Sequence, residues 1–286
     1  MRALRSTLGL LACAALALPA QAQLAEGGAQ RLGLGRAGSA LGGSVWGHAN
    51  PAAWAGLDAR VVGLQASQAF ELSELRLASL SAASPTPVGT VALAARTYGF
   101  EQHRDTRVEV GLGRAVKLSR SRSLDAGLAV GVESASTEGF SGSTTLTLSA
   151  GIQGEVVRGV RVGLAGRNLL GIVQSVESDL DRPVSTIPQL TVGVAYAPSE
   201  TATVVVDAEQ DLDFGLSVRG GVEVRPVAAL ALRVGAGTIP TRDAGSAGAW
   251  YSAGLGVRSG PLAADLAVER HDALGLTPAV GVRVSF

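Results

Sequence analysis

Hydrophobic residues alternate with small or polar ones along most of the chain, and this period of two constrains the fold more than any other feature. Near the end of the sequence, Val280, Val282 and Val284 fall on one face, and Arg283 falls on the other. A helix would place its apolar residues three and four positions apart, whereas a strand places them two apart. The alternation therefore predicts β-strands.

The pattern recurs in an even number of segments, and most of them have the length of about ten residues that crosses a bilayer when a strand is tilted. The sequence thus predicts an all-β fold, an antiparallel transmembrane β-barrel of about fourteen strands that occupies residues 59–286. The predicted strands are 60–69, 73–82, 88–98, 107–118, 123–133, 143–154, 159–169, 189–197, 201–209, 213–225, 229–238, 249–258, 261–270 and 277–286.

The connections between these strands alternate in length, with long ones such as 170–188 and 238–248 and short ones such as 198–200 and 226–228. Long loops at one end and tight turns at the other are typical of outer-membrane barrels. A soluble, secreted β-sandwich would also explain the alternation, but not this asymmetry together with aromatic residues at strand ends. Nine aromatics are predicted to form two interfacial girdles: Phe70, Tyr98, Phe100, Phe140, Tyr196, Phe214, Trp250, Tyr251 and Phe286.

Charged residues within the strands fall on the face opposite the apolar one, which the alternation assigns to the lumen. Two interpretations are open: a network of ion pairs that fills a narrow interior, or a polar conduit or binding surface. Charge on the lipid side would cost several kcal/mol, so the lumen is its expected place. The predicted polar network comprises Asp207, Glu209, Arg219, Glu223, Arg233, Asp265, Glu269 and Arg283.

The first 22 residues have the organisation of an export signal. Arg2 and Arg5 are followed by an apolar stretch, 8–18, and by the cleavage pattern Ala-Gln-Ala at 20–22. An alternative is a lipoprotein signal that ends at Cys13, but its apolar stretch would be short. We therefore expect residues 1–22 to be a signal peptide and the mature protein to reside in the bacterial outer membrane.

Composition argues against several other functions. The 24 basic and 24 acidic residues balance, so no basic field points to nucleic acid, and one Cys with three His suggests neither a metal site nor a cofactor. Segment 33–38 fits the dinucleotide pattern G-x-G-x-x-G, but no strand precedes it. We predict no catalytic residues and no enzyme, although two His–Asp neighbours, His103 with Asp105 and His271 with Asp272, map to the long-loop side.

A separate segment, 23–58, precedes the strands and is rich in glycine and alanine, which permit close backbone packing inside a pore. Its motifs GRAGSA at 35–40 and WGHANPA at 46–52 resemble PorV/PorQ-type outer-membrane proteins of the FadL-like β-barrel superfamily. The resemblance implies a fourteen-stranded barrel whose N-terminal segment plugs the lumen. We expect Asn50 and Pro51 to fix a turn in this plug, and Trp54 to pack against the inner wall.

The same resemblance implies two functions. The first is a channel or carrier for a small hydrophobic molecule; the second is a non-enzymatic partner of a type IX-like secretion machine, with a permanently filled lumen. Phe286, which closes the alternating pattern, resembles the signal that the barrel-assembly machinery reads. The expected partners are therefore that machinery, outer-membrane lipid, and either a hydrophobic solute or secretion-system proteins.

Overall fold

A computed structural model describes residues 27–119, 123–140, 142–170, 187–239 and 248–286 of the chain. The predicted signal peptide, 1–22, lies outside the described residues, and so do 23–26 of the predicted plug. Within the described parts, no helix is both long enough and apolar enough to cross a membrane.

Fourteen strands form one closed antiparallel barrel in which each strand pairs with its neighbours in sequence, and the first pairs with the last. This confirms the predicted fold class. The strands are β1 Val61–Gln68, β2 Arg76–Thr86, β3 Gly89–Gly99, β4 His103–Lys117, β5 Ser123–Thr137, β6 Ser143–Val157, β7 Val160–Arg167, β8 Gln189–Ser199, β9 Ala202–Asp211, β10 Gly215–Val227, β11 Leu230–Thr238, β12 Ala249–Ser259, β13 Leu262–His271 and β14 Gly275–Ser285.

Tight turns such as 200–201 and 228–229 lie at one end of the barrel, which we call the turn end, and the longer connections lie at the opposite loop end. Closure leaves no free sheet edge, because Val61 of β1 pairs with Ser285 of β14 and the register continues to Ser67 and Ala279. Each backbone polar group of a closed sheet can then bond within the barrel, as a spanning sheet in lipid requires.

The outer surface of the barrel carries most of the large apolar side chains. Leu232 is 46% exposed, whereas the next residue, Arg233, is 5% exposed and faces inward. The same alternation runs around the barrel, with Leu64, Val110 and Leu266 among the exposed side chains. The interior is polar and the outside apolar, the reverse of a water-soluble fold.

Residues 27–58, the inner segment, lie against the inner face of the barrel. The segment contains a short α-helix, α1 (Gly28–Gly33), and a 3₁₀ helix, Pro51–Gly56. A second 3₁₀ turn, Ala69–Glu71, follows β1 at the loop end. The side chain of Asn50 accepts a hydrogen bond from the backbone N–H of Ala52 at 3.0 Å and so caps the Pro51–Gly56 helix.

One predicted girdle residue lies elsewhere. The side chain of Trp250 faces the lumen and is buried, and its ring lies 5.4 Å from the guanidinium carbon of Arg36. The expectation of an interfacial position was therefore wrong for Trp250. A cation above the aromatic face stabilises both groups in a site that water does not reach. Tyr251, the next residue, is exposed on the outer face, as the alternation requires.

Candidate functional site

Many of the residues on the inner face of the barrel that touch the inner segment are glycines. A Cβ atom at Gly111 would overlap the ring of Trp54, and one at Gly127 would overlap the backbone of Pro51. Any larger residue at these positions would push the segment away from the wall. The glycines in contact with the segment belong to ten strands and are Gly63, Gly111, Gly113, Gly127, Gly151, Gly163, Gly193, Gly221, Gly235, Gly254 and Gly281.

Asp207, on β9, anchors the middle of the inner segment. Its carboxylate accepts hydrogen bonds from the backbone N–H groups of Gly38 and Ser39, at 2.9 and 3.0 Å, and from the Ser39 hydroxyl at 2.9 Å. Asp207 is completely buried, so these donors replace the water that its carboxylate would bind in solution.

Two further anchors hold the segment on other walls. The Arg36 guanidinium donates to both carboxylate oxygens of Glu269 on β13, at 2.7 and 2.6 Å. The Asn50 amide donates to the carbonyl oxygens of Ser39, at 2.7 Å, and of Ile152 on β6, at 3.1 Å. A bidentate pair between arginine and carboxylate fixes orientation as well as distance, so the segment has a defined position across the lumen.

His48 of the inner segment faces a buried carboxylate on the fourth strand. Its Nδ1 atom lies 3.4 Å from Oε1 of Glu109. Burial lowers the pKa of His48 below its ordinary value, although the neighbouring Glu109 carboxylate opposes this shift. The imidazole is therefore neutral near pH 7, and the contact is a weak polar one.

The eight lumen residues predicted from the sequence all lie on the inner face. Arg233 connects two carboxylates: its Nε atom donates to Glu223 at 2.6 Å and its Nη1 atom donates to Asp265 at 2.7 Å. Arg283 lies 3.6 Å from Asp265 and also donates to the side chain of Gln30 in the inner segment. Their arrangement is a connected network on β10, β11, β13 and β14.

The remaining predicted residues form a second group nearer the loop end. The Glu209 carboxylate accepts from Arg219, from Arg167 at 3.2 Å and from the Thr191 hydroxyl at 2.9 Å. Glu269 and Asp207, by contrast, bind the inner segment rather than other strands. Every carboxylate of this group thus has a cationic or hydrogen-bonding partner, which burial requires.

Sequence reasoning missed a third cluster on β3, β4 and β5. Glu133 is buried between Arg96, at 2.8 Å, and Arg107, whose Nε atom donates at 2.9 Å. Arg107 also donates to the Asn168 side chain at 2.6 Å, and Asn168 donates to the carbonyl oxygen of Ile187. These charges lie at inward positions of their strands, so the alternation that located the other eight could have located them.

A cavity of about 680 Å³ opens at the turn end between the inner segment and β9–β14. Leu34, Leu41 and Trp46 of the segment supply apolar surface, while Arg225 and Arg258 lie among the wall residues near the turns. The volume falls within the range of small-molecule sites, about 300–1,000 Å³. The described lumen therefore contains both the inner segment and a space beside it that opens at the turn end.

The two His–Asp neighbours that the sequence analysis placed on the long-loop side lie at the loop end of the barrel. His103 and Asp105 are 3.6 Å apart at the loop end, and the side chain of His103 is well exposed. His271 accepts from the backbone N–H groups of Ala273 and Leu274, a turn-forming role. Among the described residues, no group of three or more His, Cys, Asp or Glu side chains could hold a metal ion.

Solved structures share this architecture. The CymD monoaromatic hydrocarbon channel matches with a TM-score of 0.66 at 13% identity, over 92% of this chain and 98% of that one. A FadL homologue of Pseudomonas aeruginosa (TM-score 0.60, 12% identity, 92% and 97% covered) and the toluene transporter TodX of Pseudomonas putida (0.60, 11%, 92% and 98%) are also similar. The likeness shows the fold. No protein-family model matches the sequence, and neither does any curated protein.

Proposed function

We propose that this protein is a non-enzymatic outer-membrane barrel that carries a small hydrophobic molecule past a lumen closed by the inner segment. The observation that supports this most directly is the combination of an occupied lumen with a partly apolar cavity beside the segment. In an open porin, water fills the lumen. A carrier for apolar solutes has to exclude water and still present apolar surface to the solute.

The outer surface and the structural relatives support the same proposal. Large apolar side chains cover the outside of the barrel, and in a membrane they would contact lipid tails instead of water. CymD and TodX are described as a monoaromatic hydrocarbon channel and a toluene transporter. We extend that class of solute to this chain as a hypothesis.

We further propose that residues 1–22 direct export, that 23–58 serve as the plug and that Phe286 is read by the barrel-assembly machinery. The assignment to the PorV/PorQ branch belongs with these proposals. No contact or structural relative reported above favours the secretion-machine alternative, so transport is the function we put forward.

Conductance and uptake together test the proposal. In planar bilayers, the intact mature protein should be nearly closed to ions, and deletion of 24–58 should leave an inserted barrel with much higher conductance. Fourteen strands enclose more room than their own side chains fill, so removing the segment should open a pore. If the intact protein already conducts like an open porin, or the deletion changes nothing, a plain diffusion pore is the better interpretation.

Uptake of N-phenylnaphthylamine into intact cells tests the solute class. This apolar dye fluoresces in phospholipid, and an intact lipopolysaccharide leaflet excludes it. Cells that express the full chain should take up the dye faster than cells that express an unrelated barrel at the same level. Equal rates would contradict the carrier function while leaving the plug untouched.

A further inference from the structure

Three buried polar side chains on the inner face of β1 and β2 have no hydrogen-bond partner among the described residues. Gln65, Ser79 and Ser81 are 7%, 6% and 2% exposed, and none of their side-chain polar atoms bonds to any residue in the described parts of the chain. Gln65 pairs directly with Ser79 across the two strands, and Ser81 is the next inward residue of β2. They form one polar patch, which we call the β1–β2 patch.

Burying a polar group without a hydrogen-bond partner destabilises the fold. The patch has four such atoms side by side, two of them on the Gln65 amide. Gln153 on β6 also lacks a partner among the described residues, but it stands alone opposite Gly42. A cluster of neutral donors and acceptors of this kind is stabilised as soon as a hydrogen-bonding molecule reaches it.

The ring of Trp46 lies between this patch and the turn-end cavity. The ring fits into a slot made by two glycines, Gly28 of the inner segment and Gly63 of β1, where an added Cβ would come within 2.7 and 2.9 Å of it. Gly63 pairs with Ser81 and lies two residues before Gln65. Trp46 also lines the cavity. Rotating this one ring out of its slot would extend the cavity toward the patch.

The named anchors of the inner segment lie on other walls. Glu109 on β4, Ile152 on β6, Asp207 on β9 and Glu269 on β13 contact the segment through polar atoms. Against β1, the segment presents Val45 and the Trp46 ring, which make apolar contact at Gly63. The segment can therefore separate from β1 and β2 while its polar anchors stay in place.

We propose that the solute path runs along the β1–β2 wall, that the Trp46 ring is its gate, and that the β1–β2 patch binds the solute as it passes. The patch contains one amide and two hydroxyls, so it suits a small, largely apolar molecule with a single neutral hydrogen-bonding group, such as an alcohol or a phenol. This inference rests on the proposed transport function and specifies its route and its solute.

Two tryptophan variants of the full mature protein test the gate in planar bilayers. Trp46→Ala should raise the ion conductance several-fold. Trp54→Ala removes the same ring from the same segment, but on the β4 wall where the Pro51–Gly56 helix is held, so its increase should be several-fold smaller. An equal increase would mean that the whole segment has loosened, and no increase with Trp46→Ala would mean that the ring closes nothing; either result overturns the gate.

A second variant tests the gate independently, in case Trp46→Ala impairs folding. Gly63→Val leaves Trp46 intact but fills its slot, so it should open the pore as well. Both proteins should keep the gel mobility of a folded barrel in detergent. A folded Gly63→Val protein that remains closed would also overturn the gate.

Benzyl alcohol and ethylbenzene test the patch, because they have similar size and benzyl alcohol carries a hydroxyl where ethylbenzene has a methyl group. Benzyl alcohol should reduce the current through the Trp46→Ala pore at a concentration about fivefold lower than ethylbenzene, as one neutral hydrogen bond predicts. Gln65→Leu in the same background should remove the difference. Equal block by both compounds before that change would overturn the patch.

The outcomes separate this inference from the proposed function. Dye uptake by the intact protein combined with equal opening by both tryptophan variants would leave the transport function standing and remove the route. If only Trp46→Ala opens the pore and the intact protein takes up no dye, the gate would be supported and the hydrophobic-carrier function would be contradicted.

Discussion

Leu232 and Arg233 show how a single residue step changes the environment from outside to inside. Leu232→Arg should cost about 2–4 kcal/mol if it lies near the bilayer midplane, because the charge would face lipid. Arg233→Ser should cost about 1–3 kcal/mol, because it removes the cation that Glu223 and Asp265 share while leaving Arg225 and Arg283 beside them. Urea unfolding of the protein in lipid vesicles would measure both.

A compensated variant serves as the control for that prediction. Arg233→Met combined with Glu223→Gln and Asp265→Asn removes the cation and both charges, so much of the lost stability should return. Single Arg233→Ser with a cost below about 1 kcal/mol would contradict the bridging role, because an ordinary exposed pair is worth that little.

At the residue scale, the sequence predicted which face of the barrel a charged side chain occupies, but not which residue it binds. Period two placed Asp207 and Glu269 on the inward face, yet both bind the inner segment, and no spacing rule connects them to Ser39 or Arg36 across more than 160 residues. Trp250 was misplaced for a related reason: a strand-end aromatic is typical of a girdle, but its parity is inward. For Trp250, the inward direction given by the alternation was a better guide than its location at a strand end.

At the scale of elements, the strands could be predicted because each alternates over its whole length, and hydrophobic alternation is a local property. The boundaries moved most where the alternation continues into polar residues: β2 continues to Thr86 rather than 82, β4 begins at His103 rather than 107, and β5 continues to Thr137 rather than 133. The role of the inward glycines could not be predicted in the same way. A glycine in a strand normally indicates weak packing, and its close contact becomes evident only once the segment that packs against it is known.

Gly127 offers a test of the close fit between barrel and inner segment. Gly127→Leu on β5 would place a side chain where the backbone of Pro51 and Ala52 lies, so the segment should be displaced and the ion conductance should rise. Limited proteolysis should also cut the segment more quickly. The matched control is Ala126→Leu, which adds the same side chain at the next, outward position of the strand; a similar rise in both variants would contradict the fit.

At the scale of the whole molecule, closure of the barrel depends on the last strand meeting the first. The backbone N–H of Phe286 donates to the carbonyl oxygen of Arg60 at 2.9 Å, one step beyond the pairing of Ser285 with Val61. The sequence predicted closure from strand number and loop asymmetry, since an unpaired edge in lipid is prohibitively costly. The plug was expected from the family resemblance and the glycine-rich composition; the alternation alone could not predict it, because the inner segment has no repeating pattern.

Phe286 allows assembly to be separated from stability. Its side chain is 73% exposed and buries little surface, so Phe286→Ala, which keeps the backbone bond to Arg60, should change the free energy of unfolding in vesicles by less than about 1 kcal/mol. If the barrel-assembly machinery reads this ring, the same variant should nevertheless lower the outer-membrane yield in cells and leave aggregates in the periplasm. Deletion of Phe286 should do so more strongly, because it also removes the closing hydrogen bond. Leu262→Ala, an exposed position on β13 near the same end, is the control and should keep the yield of the unmodified chain. Normal insertion of the truncated protein would show that Phe286 is an ordinary rim residue and that the machinery recognises another part of the barrel.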